Sequence, residues 1–212
     1  MSEEAGFLSI GGEERHEIEK IKGSRFLATA APVGDAAEAL AFVERLKAEF
    51  ADSRHTCWAY RLGLDGSDFR YADDGEPSGS AGQPILKEIA GAGLTQVAVG
   101  VTRWFGGTKL GVGGLMRAYG GAAKEVLARA AVRRLVLCAD VSVRHPYDCS
   151  GAVQGALAAL GMDALAPQYE AEVAFELRVP LARLDLVLEE LSERTAGRAR
   201  IEVGETKARE EP

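Results

Sequence analysis

Between residues 106 and 121 the chain places seven glycines in sixteen positions, G-G-T-K-L-G-V-G-G-L-M-R-A-Y-G-G. A glycine loses more backbone freedom on folding than any other residue, so this density inside a regular element is costly and marks a place that needs bare backbone. The flanks define the setting. Leu94 to Phe105 reads as a buried strand, and Leu115, Tyr119, Ala122, Val126 and Ala130 recur at helical spacing. The unit is therefore strand, glycine loop, helix. A helix start carries unpaired N–H groups and a partial positive charge, which suits an anion, and Arg103, Lys109 and Arg117 add full positive charges. The glycines equally suit a tight turn and close helix-to-sheet packing. Two nucleotide fingerprints fail. Counted from Gly106, the Walker pattern needs lysine where Val112 stands, and Gly111-Val-Gly113 meets Met116 where the dinucleotide pattern needs a small residue.

The chain is long enough for one large domain or two small ones, and 47% hydrophobic with 27% charged residues is ordinary globular composition. No apolar run is long enough to span a bilayer and the acidic start S-E-E-A-G is wrong for a secretory signal, so a cytoplasmic protein without a membrane partner is expected. Cys57, Cys138 and Cys149 are odd in number and lack framework spacing, which points to reducing conditions. The formal net charge is −7, but residues 91–134 hold seven basic side chains against the single acid Glu125. A locally basic surface can attract phosphate while the whole molecule stays acidic. The plainer reading is a solvated helix face with Glu125 and Arg129 as an i,i+4 pair.

Arg54 to Leu62 reads as a strand, with His55 and Cys57 on one face and Thr56 and Trp58 on the other. One His and one Cys make half a zinc site, and His145 and Cys149 supply the rest only if both parts of the chain fold together. A buried thiol and a hydrogen-bonded histidine are the ordinary expectation. No metal or cofactor is assigned. The stretch D-D-G-E-P-S-G-S-A-G-Q-P, Asp73 to Pro84, is too polar for core. Asp73, Asp74 and Glu76 read as a surface for recognition. A calcium loop counted from Asp74 needs an acid where Ile85 stands. Ser78 and Ser80 lack the strand-to-helix elbow of a serine nucleophile, and Ser80 with Gln83 reads as a capping box for a helix through Ile85, Leu86 and Ile89.

Elsewhere, the acidic residues 1–14 read as a frayed end or a short strand around Phe7 to Ile10, and His16 to Ala31 as a long strand or a bent pair. Asp35 is a good N-cap for a helix burying Leu40, Val43, Leu46 and Phe50, and Asp65-Gly66 is a hairpin signal. After Arg133-Arg134 the pattern changes. Alternation over Leu135 to Val143, a helix over about 148–160 ended by Gly161, strands near 162–166 and 173–179, a helix opened by Pro180 and a strand over 199–203 spell βαββαβ. This is the split pattern of a ferredoxin-like sheet. The expected fold is α+β in two domains, residues 1–134 and 135–212, with Glu205 to Pro212 frayed.

Three motifs, H-T-C-W-A, D-D-G-E-P-S-G-S-A-G-Q-P-I-L and V-T-R-W-F-G-G-T-K-L-G-V-G-G-L-M-R-A-Y, resemble the IMPACT family and specifically its two-domain bacterial, YigZ-like branch. The resemblance spans roughly residues 15 to 130, and the remainder is similar in pattern to that branch's C-terminal domain. Ser80 and Trp104 stand where many relatives have threonine and tyrosine. The resemblance implies a first domain similar to an α/β domain of a small-subunit ribosomal protein and to the fourth domain of elongation factor G. It implies a ferredoxin-like second domain similar to that factor's fifth. Eukaryotic relatives regulate translation by competing for the activator of an amino-acid-starvation kinase, a system bacteria lack. The family motifs fall on His55, Cys57, Asp73, Asp74, Glu76, Arg103, Gly106, Gly107, Lys109, Gly111, Gly113, Gly114 and Arg117. No catalytic role comes with them. The expectation is a non-enzymatic factor associated with RNA or the ribosome that influences translation, with Arg103 to Arg117 of that set as anion contacts. Two other classes remain: an enzyme acting on a small phosphorylated or acidic ligand held between the acidic and basic loops, and a protein-interaction module.

Overall fold

A computed structural model of the protein describes residues 6–210. They form a mixed α/β structure with two sheets and five α-helices, and they divide into two compact units, Phe7–Arg134 and a second made chiefly of residues 135–210. No helix among the described residues is long and apolar enough to cross a membrane.

In the first unit the order is β1 (Gly6–Ile10), β2 (Glu14–Glu17), β3 (Arg25–Pro32), α1 (Ala36–Glu49), β4 (His55–Leu62), β5 (Asp68–Ala72), α2 (Gly82–Gly91), β6 (Val97–Trp104) and α3 (Val112–Arg129). The sheet runs β2-β3-β6-β4-β5 with every neighbour antiparallel. Strand alternation decides which helices cover which face. On β4, Cys57 and Ala59 join the core under α2 and α3, while Trp58, Tyr60 and Leu62 join the core under α1. Both faces are therefore buried, and β6 reads as the near-continuous apolar run V-A-V-G-V.

Local sequence explains most boundaries. The 16–31 stretch is a bent pair, turning through Lys22 and Gly23 at φ 48° and 81°. Asp35 caps α1, its Oδ1 accepting the Glu38 N–H at 2.8 Å, while Glu38 Oε2 accepts the Gly34 N–H at 2.7 Å. Inside α1 the buried residues are Ala39, Phe42, Val43 and Leu46, and Leu40, expected inside, is exposed because the apolar stripe includes Phe42 instead. The α2 cap also departs from expectation. The helix begins at Gly82, no side chain of the Ala81 cap position bonds to it, and the buried Ser80 Oγ has no hydrogen-bond partner.

The second unit contains β7 (Val132–His145), α4 (Ser150–Leu160), β8 (Leu165–Tyr169), β9 (Val173–Pro180), α5 (Leu184–Arg194) and β10 (Arg200–Glu210). Its strands run β10-β7-β9-β8, all antiparallel. Val153 and Leu157 of α4 and Val187 and Leu191 of α5 share one core with Val141, Val143, Phe175 and Leu177. Gly161, at φ 64°, ends α4 in the left-handed region. One expectation is corrected here: residues 205–210 are strand rather than frayed, pairing from Thr206 opposite Ala139 to Glu210 opposite Leu135. The ladder uses backbone N–H and C=O groups, which a run of charged side chains leaves free. Residues 1–5, 211 and 212 lie outside the described set.

Gly106 packs directly on the Gly23–Ser24 backbone, and a Cβ there would sit 1.9 Å from the Gly23 carbonyl carbon. Gly106→Ala is expected to lower the unfolding free energy by about 2–3 kcal/mol, as forced overpacking does. A methyl at Gly121 of α3 meets nothing within 4 Å, so Gly121→Ala is expected to raise it by about 0.5–1 kcal/mol through helix propensity. Urea melts of the two variants beside the wild type read both signs.

Candidate functional site

Strand register assembles the site. β6 lies between β3 and β4 and places Arg103 opposite Phe26 on one side and His55 on the other. Arg103 is only 4% exposed, and its guanidinium lies 5.5 Å from the Phe26 ring centre and 5.4 Å from that of Phe105. A cation this deep needs a counter-charge. Glu76 supplies it: Arg103 Nη1 donates to Glu76 Oε1 at 2.6 Å, and the Tyr119 hydroxyl donates to the same oxygen at 2.8 Å. Arg103 Nη2 donates to Ser24 Oγ at 3.2 Å, and Nε is buried without a hydrogen-bond partner among the described residues.

The loop from Asp73 to Pro84 reaches inward because its first two acids bind backbone. Asp73 Oδ1 accepts the N–H groups of Ala81 and Gly82, each at 2.9 Å, and Oδ2 accepts that of Gly79 at 2.7 Å. Asp73 thus does for α2 what Ser80 was expected to do. Asp74 adopts φ 43°, its Oδ2 accepts the Thr56 N–H at 2.7 Å, and its Oδ1 lies 3.2 Å from Lys47 Nζ. Asp73 and Asp74, expected as a recognition surface, instead fix the loop that delivers Glu76. His55 Nδ1 lies 2.7 Å from the Asp74 carbonyl oxygen. A carbonyl can only accept, so Nδ1 carries a proton, and Nε2 lies 4.0 Å from Glu76 Oε1.

Cys57 is fully buried and donates to the Asp73 carbonyl at 2.9 Å. Burial pushes its thiol well above the ordinary range, and pushes the Tyr119 hydroxyl up as well. This thiol is packing, not a nucleophile. His145 and Cys149 belong to the second unit, and among the described residues no group of three or more His, Cys, Asp and Glu side chains is placed to hold a metal ion.

The glycines divide by role. Gly106 serves close approach to Gly23 and donates its N–H to Ser24 Oγ at 3.2 Å. Gly107 and Gly111 sit at φ 87° and 73°, which favours glycine on backbone grounds alone. Gly114 packs on Leu110, whereas Gly113 has room for a Cβ in ordinary contact. No side chain caps the start of α3 at Gly111, so its first N–H groups keep their donor capacity.

A cavity of about 420 Å³ opens beside that helix start. Its polar side is Arg54, His55, Glu76, Arg103 and Lys109, and its apolar side Phe105, Leu110, Val112 and Leu115. The acidic and basic loops therefore do face one cavity. Arg117 does not take part: it lines a separate groove between α2 and α3 with Pro84, Leu86 and Met116. Sequence reasoning missed Arg54, Ser24 and Tyr119 as site residues. Tyr119 sits on the buried stripe of α3, and the only hint of its second role is the hydroxyl, which a buried position obliges to find a partner.

Fold and site together define a class: an α/β unit whose central strand, acidic loop and uncapped glycine-entered helix enclose a cavity with more cationic than anionic side chains, followed by a second sheet unit. A family model described as the Impact N-terminal domain matches residues 22–127. The chain is 45% identical over 160 residues to an IMPACT family member of Thermus thermophilus, covering 76% of this chain and 86% of that one. It is 32% identical over 169 residues to the IMPACT family member YigZ of Escherichia coli strain K12, covering 79% and 83%. A crystal structure titled as that of a hypothetical protein superposes with a TM-score of 0.68 at 30% identity, over 94% of this chain and 98% of the other. The protein belongs to the IMPACT family.

If Asp73 caps α2, Asp73→Ala strips the acceptor from three N–H groups and is expected to cost about 2–4 kcal/mol. Ser80→Ala removes a hydroxyl without a partner and is expected to change stability by less than about 0.5 kcal/mol or to raise it. Thermal unfolding of both variants decides between the two caps. Cys57, Cys138 and Cys149 are all buried. A thiol reagent at mildly alkaline pH should therefore leave the native protein essentially unmodified and react with all three after unfolding, followed by reagent absorbance. The folded state disfavours the Cys57 thiolate, so stability is expected to fall as pH rises through the ordinary thiol range.

Proposed function

We infer that this protein is a factor associated with RNA or the ribosome that influences translation, and that it contacts phosphates through the surface around the start of α3. The observation that carries the reading is the run of exposed basic side chains Lys109, Arg117, Lys124 and Arg129. None of them forms an ion pair among the described residues, while the one acid within the stretch, Glu125, bonds to His16 at 2.9 Å. Surface cations of this kind draw in a polyanion and release its counterions, so binding is steeply salt-dependent. Membership of a family whose eukaryotic members regulate translation supports the same direction. So does the second unit: the order β10-β7-β9-β8 with α4 and α5 in one core supports reading it as a ferredoxin-like domain. Fold likeness to elongation-factor domains is analogy, so the weight rests on the charges.

A second reading, an enzyme acting on a small phosphorylated or acidic ligand, is favoured by one specific observation. His55 Nε2, Glu76 and Lys109 converge on a cavity large enough for a small molecule. Both readings place an anion near the glycine loop and differ in what carries it.

Binding of the wild type to purified ribosomes and to a mixed RNA pool across a salt series should be salt-sensitive. The Lys109→Glu/Arg117→Glu variant should lose most of it, and its slope of log affinity against log salt should fall by about two. Both side chains are exposed, so the variant should keep its wild-type circular dichroism melt. Salt-independent binding, or binding that survives the double variant, would remove these residues from the interface.

A further inference from the structure

We propose that the cavity at the start of α3 binds a small phosphate monoester that also carries free hydroxyl groups, the chemistry of a sugar phosphate or a nucleoside monophosphate. The proposal builds on the phosphate reading of the glycine loop and shares Lys109 with it, but its other contacts, Arg54, His55, Glu76 and Arg103, lie in the cavity rather than along the exposed face of α3.

Charge comes first. Arg54, Arg103 and Lys109 face the cavity against the single carboxylate of Glu76, leaving a surplus of cations in either protonation state of His55. The uncapped start of α3 borders the same space at Gly111 and Val112 and adds N–H donors and the positive end of a helix dipole. A dianion with three oxygens uses such a set more fully than a carboxylate does. The site is also built rather than superficial. Arg103 is 4% exposed and carries a buried Nε without a hydrogen-bond partner among the described residues, and the Glu76 side chain is 5% exposed.

The opposite wall selects the rest of the ligand. Every bond to the Glu76 carboxylate falls on Oε1, which leaves Oε2 as an acceptor. In its neutral form His55, with the proton on Nδ1, offers Nε2 as a second acceptor nearby. Two acceptors want donors, and the hydroxyls of a sugar supply them. Glu76 does not repel the phosphate strongly, because Arg103 and Tyr119 already hold its charge. Phe105, Leu110 and Leu115 give the sugar carbons or a base an apolar wall, and a volume of about 420 Å³ accommodates a molecule of mononucleotide size.

The test titrates the full chain by calorimetry with adenosine monophosphate, adenosine and inorganic phosphate. Adenosine monophosphate is expected to bind saturably and at least about tenfold more tightly than adenosine. Lys109→Ala should weaken it by about tenfold. His55→Asn keeps a donor near the Asp74 carbonyl and deletes Nε2, so it should weaken adenosine monophosphate while leaving inorganic phosphate unchanged. Unaltered thermal melts show that both variants fold. Equal affinity for the nucleotide and the nucleoside, no saturable binding, or nucleotide affinity untouched by both variants overturns the proposal. Short RNA with and without a terminal phosphate identifies the source: competition by the phosphorylated strand alone points to a strand end, and competition by neither to a free small molecule. Ribosome binding that persists in His55→Asn separates the two readings. With nucleotide binding absent throughout, it leaves the translation factor standing and this site refuted; nucleotide binding without ribosome binding does the reverse.

Discussion

The first unit depends on the buried pair of Arg103 and Glu76. Taking a guanidinium and a carboxylate out of water costs several kcal/mol each, and the attraction between them offsets this only with good geometry and further hydrogen bonds. Here the 2.6 Å contact, the Tyr119 hydroxyl and Ser24 Oγ supply those bonds. The partners come from β6, the 73–84 loop, α3 and the turn before β3. Loss of either charge leaves the other stranded, so the pair adds a polar constraint to segments that already share one apolar core. The pair is less a source of stability than a constraint on where the loop and the helix start can be.

That constraint explains the glycine loop better than anion binding alone does. With Arg103 fixed on Ser24, the chain leaving β6 has to pass over the Gly23–Ser24 backbone, and Gly106 is the residue that touches it. The turns at Gly107 and Gly111 then reverse direction before α3 begins. Only after these demands are met does room remain at Gly113, where a Cβ would be tolerated. The density that stands out in the sequence is thus the sum of a close approach, two left-handed turns, helix packing and a residue of open backbone at the helix start.

What the sequence displayed and what it hid follow from the range of the forces. Strand alternation on β4, the Asp35 cap, the Gly161 stop and the helical stripe of α3 are local patterns, and all appear in the fold. The α2 cap was misassigned because Ser80 has the right residue type at the right spacing, while the acceptor in use, Asp73, sits nine positions before Gly82 and reaches it only after the loop folds back. Leu40 went astray because α1 offers more apolar residues than its buried stripe needs. The strand character of residues 205–210 was hidden because pairing with β7 is a backbone affair that composition does not record. At the site, His55 and Glu76 were visible as candidates. A cleft between the acidic and basic loops was one of the readings the sequence allowed; which acid takes which partner was not legible, since it depends on the register of β6 against β4 and on two aspartates spent inside the loop.

Those aspartates also change the electrostatics. Summed along the sequence, the acids at 73, 74 and 76 offset much of the basic charge at 103, 109 and 117, and the region looks close to neutral. In the fold Asp73 faces backbone N–H groups, Asp74 faces Lys47, and Glu76 is matched by Arg103. Asp74 and Glu76 are each answered by a cation within a few ångströms, so their fields beyond that range are small, and Asp73 holds its charge inside the loop against three N–H groups. Lys109 and Arg117 are exposed and form no ion pair among the described residues. At physiological ionic strength charges are screened beyond about 8 Å, so what an approaching ligand meets is set by the nearest unmatched groups and not by the net charge. A protein of net charge −7 can in this way present a positive helix start, and the acidic loop next to it in space makes that possible by turning its charges inward.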